Sequence, residues 1–307
     1  MSLYTGEPFD LQRIQKEFNI PQRKIKGCGL SELDLKEIYE DFQKSIPYLE
    51  DIRTKILSDL NSELTDKIHS VRGRIKKPDH LIEKIIRNKC EKPKKYDIMN
   101  IGNYNKIVTD LIGFRIIILD KKDWRDVHDK LLEIFQNIPE RYAVEPSDLI
   151  KNFEKYPINK KENAIKSSYH AEKPVAYLTE VDDLKLFEAP YLGIDHSKTH
   201  YRSIHYIIRY ENLYFEIQVR TLFEEGWLEF DHRIKYPYDQ NNKKKQEFLT
   251  ILNSIATAAD RLISFYDERY FHEELPDNIQ NDTDVSTDKI LEKDNFKDKL
   301  LLRFNGR

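Results

Sequence analysis

Residues 201–221, YRSIHYIIRYENLYFEIQVRT, gather side chains that can hold protons, anions or hydrogen bonds onto one side of a short stretch. A two-residue turn at Glu211 and Asn212 would pair Tyr210 with Leu213, Ile208 with Phe215, Tyr206 with Ile217 and His205 with Gln218. Side chains alternate along a strand, so one face then holds only apolar or aromatic residues, from Ile204 to Val219. The other face holds His205, Arg209, Glu216, Gln218 and Arg220. A solvated sheet face would carry a looser mixture of Lys, Thr and Ser. Upstream lies a basic group: Arg72, Arg74 and Lys76 at alternate positions, and Lys84 on the segment that follows. In an extended chain Arg74 and Lys76 point the same way. Asp110 opens an apolar run that contains Arg115. A carboxylate there is costly to desolvate without a partner, and Arg115 must meet an anion, either a carboxylate or a phosphate.

These side chains need elements to hold them. Ser31 with Asp34 three residues on resembles a capping box, and Leu33, Ile38, Phe42, Ile46 and Leu49 follow at near-helical spacing until Pro47 kinks or ends the run. Further helices are expected over 52–70 and 79–88, a central strand buried on both faces over 111–119, and a helix over 124–135. After the hairpin at 203–220 come helices near 222–235 and 245–270. Residues 1–30 show no clear periodicity and read as an N-terminal extension. The main domain is placed at 31–272, with an insertion near 139–190 in which PVAYLTEVDDLKLFEA adds a strand. Residues 273–307 form a polar C-terminal tail.

Composition narrows the class. A 307-residue chain with 34% charged and 11% aromatic residues can build a core, and its net charge of −3 argues against a nucleic-acid coat protein. The only cysteines, Cys28 and Cys90, are too few for a disulfide framework and lack metal-ligand spacing. No apolar run is long enough to span a membrane and no signal pattern opens the chain, so a soluble, cytoplasmic protein is expected. His128-Asp129 is an HD dipeptide. Metal-dependent hydrolysis at such a pair also needs His and Asp ligands on helices upstream, and nothing before residue 100 supplies them, since His69 and His80 lie in the basic block, so His128 reads as a helix-surface residue.

Four blocks carry a resemblance: VRGRIKKPDHLIEKI (71–85), DLIGFRIII (110–118), YRSIH with EIQVRT, and WLEFDHRIKYP. Together they resemble the synthetase core of RelA/SpoT-type alarmone synthetases, over roughly residues 35–270. The resemblance implies an α+β, nucleotidyltransferase-like fold with a mixed, mostly antiparallel sheet flanked by helices. It implies an ATP-dependent pyrophosphokinase that moves the β,γ-pyrophosphate of ATP to the 3′-hydroxyl of GDP or GTP, with Mg²⁺ as cofactor. Arg74, Lys76 and Lys84, with Arg72 beside them, would bind the ATP phosphates. Asp110 and Glu216 would hold the metal, and Glu216 is either the base for the 3′-hydroxyl or the group that orients it while the metal assists its deprotonation. Tyr201 would stack on the acceptor base, with Lys198, His205 and Gln218 as further acceptor contacts, while Trp227 packs and Arg220 is structural.

The chain departs from the family pattern at three places. His80 stands where Ser is common, and Asp231 where Glu is. The loop Ser197-Lys198-Thr199-His200 replaces Lys-Pro-Asn-Gly before the tyrosine. The loop change puts the acceptor in question. The alternative is a toxic family member that pyrophosphorylates the 3′-CCA end of tRNA, or an adenine nucleotide. Lys92, Lys94, Lys95, Lys160 and Lys161 are candidates for a tRNA track. A catalytically silent nucleotide-binding regulator is a third reading, opposed by the presence of both carboxylates. A neutralising antitoxin or another regulator would be a further partner.

Overall fold

The two-residue alternation of the hairpin decides which way the sheet faces. The computed structural model describes residues 6–135, 169–197, 200–210, 213–235 and 242–270. Its strands are β1 (Ser70–Ile75), β2 (Ile112–Ile118), β3 (Tyr169–His170), β4 (Val175–Leu178), β5 (Gly193–His196), β6 (Ser203–Tyr210) and β7 (Leu213–Thr221). They form one sheet in the order β1-β2-β7-β6-β4-β5, with β3 also paired to β6. Only β2 with β7 and β4 with β5 run parallel, so the sheet is mixed and mostly antiparallel, as expected. The hairpin register is the one read from the alternation: Tyr210 opposite Leu213, Ile208 opposite Phe215 and His205 opposite Gln218. β4 lies in the segment expected to add a strand.

The register sorts the side chains into two faces. Ile112, Phe114 and Ile116 of β2, Phe215, Ile217 and Val219 of β7, and Ile204, Tyr206 and Ile208 of β6 are all buried in the main core. Gly73 on β1 belongs to this face because a Cβ there would come within 2.8 Å of the Phe114 ring. The opposite face carries Arg72 and Arg74, Gly113 and Arg115, Glu216 and Gln218, and His205, in adjacent rungs.

Helices cover the apolar face. α1 (Leu11–Glu17) and α2 (Gln22–Gly27) precede α3 (Glu32–Leu64), whose Ser31–Asp34 capping box is present. α3 buries Leu35, Ile38, Phe42, Ile46, Leu49, Ile52, Ile56 and Leu60 along one stripe. One sequence expectation fails here: Pro47 does not end the helix, so the expected second helix is the later half of α3, with Ser70 already in β1. The apolar stripe is continuous through the proline, and Pro47 itself points outward, so packing outweighs one missing backbone bond. Residues 6–30 fold as α1 and α2, and Ile14, Phe18 and Ile20 enter the core. Arg13 fixes α1 through a two-pronged bond to Asp79, at 2.8 and 2.9 Å.

Asp79 belongs to α4 (Pro78–Glu91), which the short helices α5 (Pro93–Tyr96) and α6 (Tyr104–Ile107) follow. α7 (Trp124–Ile134) buries Trp124, Val127, His128 and Leu131. His128 is therefore a core residue and not a surface one: Nδ1 meets the Tyr206 hydroxyl at 3.0 Å and Nε2 meets the Pro190 carbonyl at 3.1 Å. Asp129 faces outward, so the HD pair shares no site. α8 (Leu222–Lys235) and α9 (Lys243–Tyr270) complete the order.

The chain divides into two compact units, Met1–Ser264 and Phe265–Arg307, and the described part of the second is residues 265–270. Among the described residues no helix is long and apolar enough to cross a membrane. The expected tail at 273–307 and Lys160 and Lys161 lie outside the described residues.

Candidate active site

The polar face of the sheet forms the floor of a cleft of about 750 Å³, lined by residues of β1, β2, β7, α4 and α8. Arg74 and Lys76 enter it from β1 and the turn after it, and Lys84 from α4. Asp110 stands where the chain enters β2, and Glu216 and Gln218 rise from β7. Gly113 lies between Glu216 and Arg74 in the rungs, and a Cβ there would meet nothing within 4 Å. That absent side chain leaves the floor open beside both groups.

Asp110 is held by two ammonium groups, Lys76 at 2.9 Å and Lys84 at 2.8 Å. Burial alone would raise its pKa, but Lys76 and Lys84 outweigh burial and keep the carboxyl well below the usual carboxylate range. Burial lowers Lys76. Burial also pulls on Lys84, yet Asp110 with Tyr96 and Glu216 leaves it above its ordinary value. Glu216 has both oxygens engaged: Oε1 lies 2.9 Å from His205 Nδ1, and Oε2 accepts from Gln218 Nε2 at 2.7 Å. Burial pushes Glu216 up and His205 pulls it down further, so it remains an anion. Asp110 and Glu216 are close enough to feel each other's charge.

Arg115 finds carboxylates as its anions: Glu225 of α8 at 2.6 Å, and Glu229. Tyr201 and His205 adjoin the cleft through Glu216 and do not line it. Tyr201 packs against Trp227, Leu228 and Ala256. Trp227 is buried, with its indole N–H on the Leu249 carbonyl at 2.9 Å. Arg72 shares the face of Arg74 one rung pair away, outside the lining residues. Lys198 lies outside the described residues. The backbone at His200 is left-handed (φ +61°), the conformation a glycine would adopt freely.

Sequence reading missed Arg87, Asn88, Phe230 and Arg233, which also line the cleft. Arg87 and Asn88 were visible in the helical spacing from His80 and Lys84, opposite the buried stripe Leu81, Ile82, Ile85 and Ile86. Phe230 and Arg233 carry no such signal, because only the docking of α8 brings them over the cleft.

Two carboxylates beside Arg74, Lys76 and Lys84 suit a hard divalent ion that takes its remaining oxygens from water and a bound group. Among the described residues no group of three His, Cys, Asp or Glu could hold a metal by itself. Asp110 and Glu216 thus fit a shared, substrate-completed site and not a closed structural one.

No curated protein sequence matches the chain. Solved structures similar to it include a GTP pyrophosphokinase family protein from Streptococcus pneumoniae, at 18% identity and TM-score 0.45, covering 75% of this chain and 93% of that one. Small alarmone synthetase 1 from Bacillus subtilis, bound to its product pppGpp, matches at 17% identity and TM-score 0.44, over 74% of this chain and 95% of that one. Small alarmone synthetase 2 from the same organism matches at 19% and 0.40, over 76% and 98%. The family model described as "Region found in RelA / SpoT proteins" matches residues 73–241, more than half the chain, and that span contains Arg74, Lys76, Asp110 and Glu216. The chain belongs to the RelA/SpoT family.

Proposed function

We propose that the cleft transfers the β,γ-pyrophosphate of ATP to the 3′-hydroxyl of GDP or GTP. The hydroxyl oxygen bonds to the β-phosphorus, the bond from that phosphorus to the α–β bridging oxygen breaks, and AMP leaves. The observation that carries this reading is the pairing of two anionic carboxylates, Asp110 and Glu216, with Arg74, Lys76 and Lys84 in one cleft. Transfer of this type depends on positioning and charge neutralisation more than on covalent chemistry. Arg74 and the two lysines take the phosphate charge, and Arg72 adds to the positive field of the same sheet face. Mg²⁺, held by Asp110 and Glu216, would neutralise charge on the transferred group. Glu216 orients the acceptor hydroxyl and receives its proton, with His205 and Gln218 fixing the carboxylate and Tyr201 offering a stacking surface for the base.

A second acceptor class has one observation in its favour. Lys92 lines the cleft, and Lys94 and Lys95 continue from it along α5, although Lys95 is partly engaged by Glu172 at 3.6 Å. A basic edge at the mouth suits a polyanion such as the 3′ end of tRNA.

The test is transfer of label from γ-labelled ATP with Mg²⁺, offered GDP, GTP, ATP and deacylated tRNA in parallel. Label on a guanine nucleotide is expected. Label on tRNA alone would replace the acceptor, and a Glu216→Gln protein as active as the parent would overturn the mechanism.

A further inference from the structure

The polar face of the sheet does not stop at His205. Val175 of β4 lies opposite His205 and Tyr177 opposite Ser203, while Gly193 and Asp195 of β5 lie beside Val175 and Tyr177. Paired residues point to the same side of a sheet, so Tyr177 and Asp195 extend the face that carries His205 and Gln218. Ala176 and Leu178, at the alternate positions of β4, are buried in the core.

Three rings meet on this extension. The Tyr177 ring centre lies 4.8 Å from that of His205 and 6.0 Å from that of Tyr201, with its plane at 67° and 66° to theirs. Rings so steeply inclined make a corner and not a stack, and a flat base laid on Tyr201 meets Tyr177 at an angle. Beyond the corner stands Asp195. It is exposed, and no described residue gives its carboxylate a hydrogen bond or an ion pair. Its charge still reaches the corner: burial first, and then Asp195, raise the Tyr177 phenol above its ordinary value.

The direction of this extension suits the acceptor. From Glu216 toward β1 the cleft is occupied by Arg74, Lys76, Lys84 and Asp110, the groups assigned to the triphosphate and the metal. An acceptor with its 3′-hydroxyl at Glu216 therefore has its base on the opposite side, over β6, β4 and β5. Asp195 stands three strands across and four residues along from Glu216. At ordinary strand spacing that is a backbone separation of about 20 Å, which a purine nucleoside and the two acidic side chains together span.

We propose that Tyr177 and Asp195 complete the acceptor site. Tyr177 walls the base that stacks on Tyr201, and Asp195 reads the edge of that base, so the site selects guanine over adenine. A carboxylate accepts the N1 and N2 hydrogens of guanine together, whereas adenine sets its N1 lone pair against the same oxygens. The two residues hold this role only if the acceptor stacks on Tyr201 with its 3′-hydroxyl at Glu216, the reading proposed above. The same carboxylate disfavours ATP as acceptor, and the adenosine that ends a tRNA.

The test separates base recognition from transfer. The ATP site is filled with an ATP analogue whose α–β bridge is a methylene, so that no pyrophosphate moves, and GDP or ADP is titrated in by calorimetry. The parent is expected to bind GDP at least about tenfold tighter than ADP. In Asp195→Asn that preference is expected to shrink about tenfold, through weaker GDP binding with ADP unchanged or tighter. A preference that survives in Asp195→Asn, or a parent that binds ADP as well as GDP, would overturn the assignment. Asp195 is exposed on an edge strand, so its substitution leaves the core alone. Tyr177→Ala is expected to weaken both nucleotides several-fold and Tyr177→Phe neither, since it is the ring that forms the wall. Equal binding by the parent and Tyr177→Ala would remove Tyr177 from the site. Unchanged affinity for the analogue reports that each variant keeps its fold. Transfer assays on the same proteins keep the two readings apart. A parent that moves pyrophosphate to no nucleotide sinks the proposed activity, while the GDP preference and its response to Asp195→Asn still decide the base-reading role.

Discussion

Asp110 shows how much of this site rests on single contacts. Its carboxylate separates Lys76 from Lys84, all three being largely buried, so removing its charge leaves two ammonium groups facing each other. Breaking one partner out of a buried ionic group costs about 3–5 kcal/mol. Asp110→Asn should therefore unfold at a clearly lower temperature than the parent, and inorganic tripolyphosphate should restore more of its stability than it adds to the parent. Thermal unfolding with and without the anion checks both, and equal responses of the two proteins would contradict the assignment of these lysines to phosphate. The sequence disclosed Asp110, Glu216 and the cations through residue type and family motif. It did not disclose that Arg115 meets Glu225 and Glu229, because those glutamates lie over a hundred residues away and reach it only when α8 docks. His128 was misread for a different reason. Its place in the stripe of Trp124, Val127 and Leu131 was visible, but the polar residue type outweighed the spacing, and only the Tyr206 and Pro190 contacts make its burial affordable.

At the level of elements, the hairpin was legible because a strict two-residue alternation admits one register, and a slip by one would turn His205, Glu216 and Gln218 into the core. α3 was legible only in halves, since a proline in mid-helix normally marks an end. Pro47 still carries its local penalty, paired here with an exposed position. Pro47→Ala should stabilise the protein by about 1–3 kcal/mol, read as a raised unfolding midpoint with an unchanged denaturant slope. A destabilised variant would mean that Pro47 is needed to seat both halves of the helix. α1 and α2 escaped sequence reading because each is too short for periodicity to show. What fixes them is tertiary: the Arg13–Asp79 pair and the burial of Ile14, Phe18 and Ile20.

Across the whole molecule, a buried ionic cluster that no local pattern announces ties together the chain just after β2, just before β6 and just after β7. Lys121 bonds Asp182 at 2.6 Å and Glu224 at 2.9 Å, and Arg202 lies between the same two acids while donating to Asn253 of α9 at 2.8 Å. Asp260 of α9, 3% exposed, is a third carboxylate in the neighbourhood of these two cations. Burial and the nearby Glu224 push its pKa up from 3.8 to about 7. An acid whose pKa is raised on folding binds its proton more tightly in the native state. Native stability therefore falls as pH rises from about 4 to about 7, and the full penalty applies above that. Asp260→Asn should remove a penalty of up to about 4 kcal/mol at pH 8 and change little at pH 4. Unfolding midpoints of the two proteins across that range would show the curves converging on the acid side, and parallel curves would refute the assignment.

The central claim is that one cleft on the polar sheet face carries out pyrophosphate transfer through Glu216. The most direct measurement follows AMP and the 3′-pyrophosphorylated nucleotide together, from ATP and GDP with Mg²⁺, for the parent and for Glu216→Gln. The account predicts equal amounts of the two products from the parent, and a loss of at least about a hundredfold in the variant with its fold intact. AMP without the matching product, or equal rates from both proteins, would contradict it.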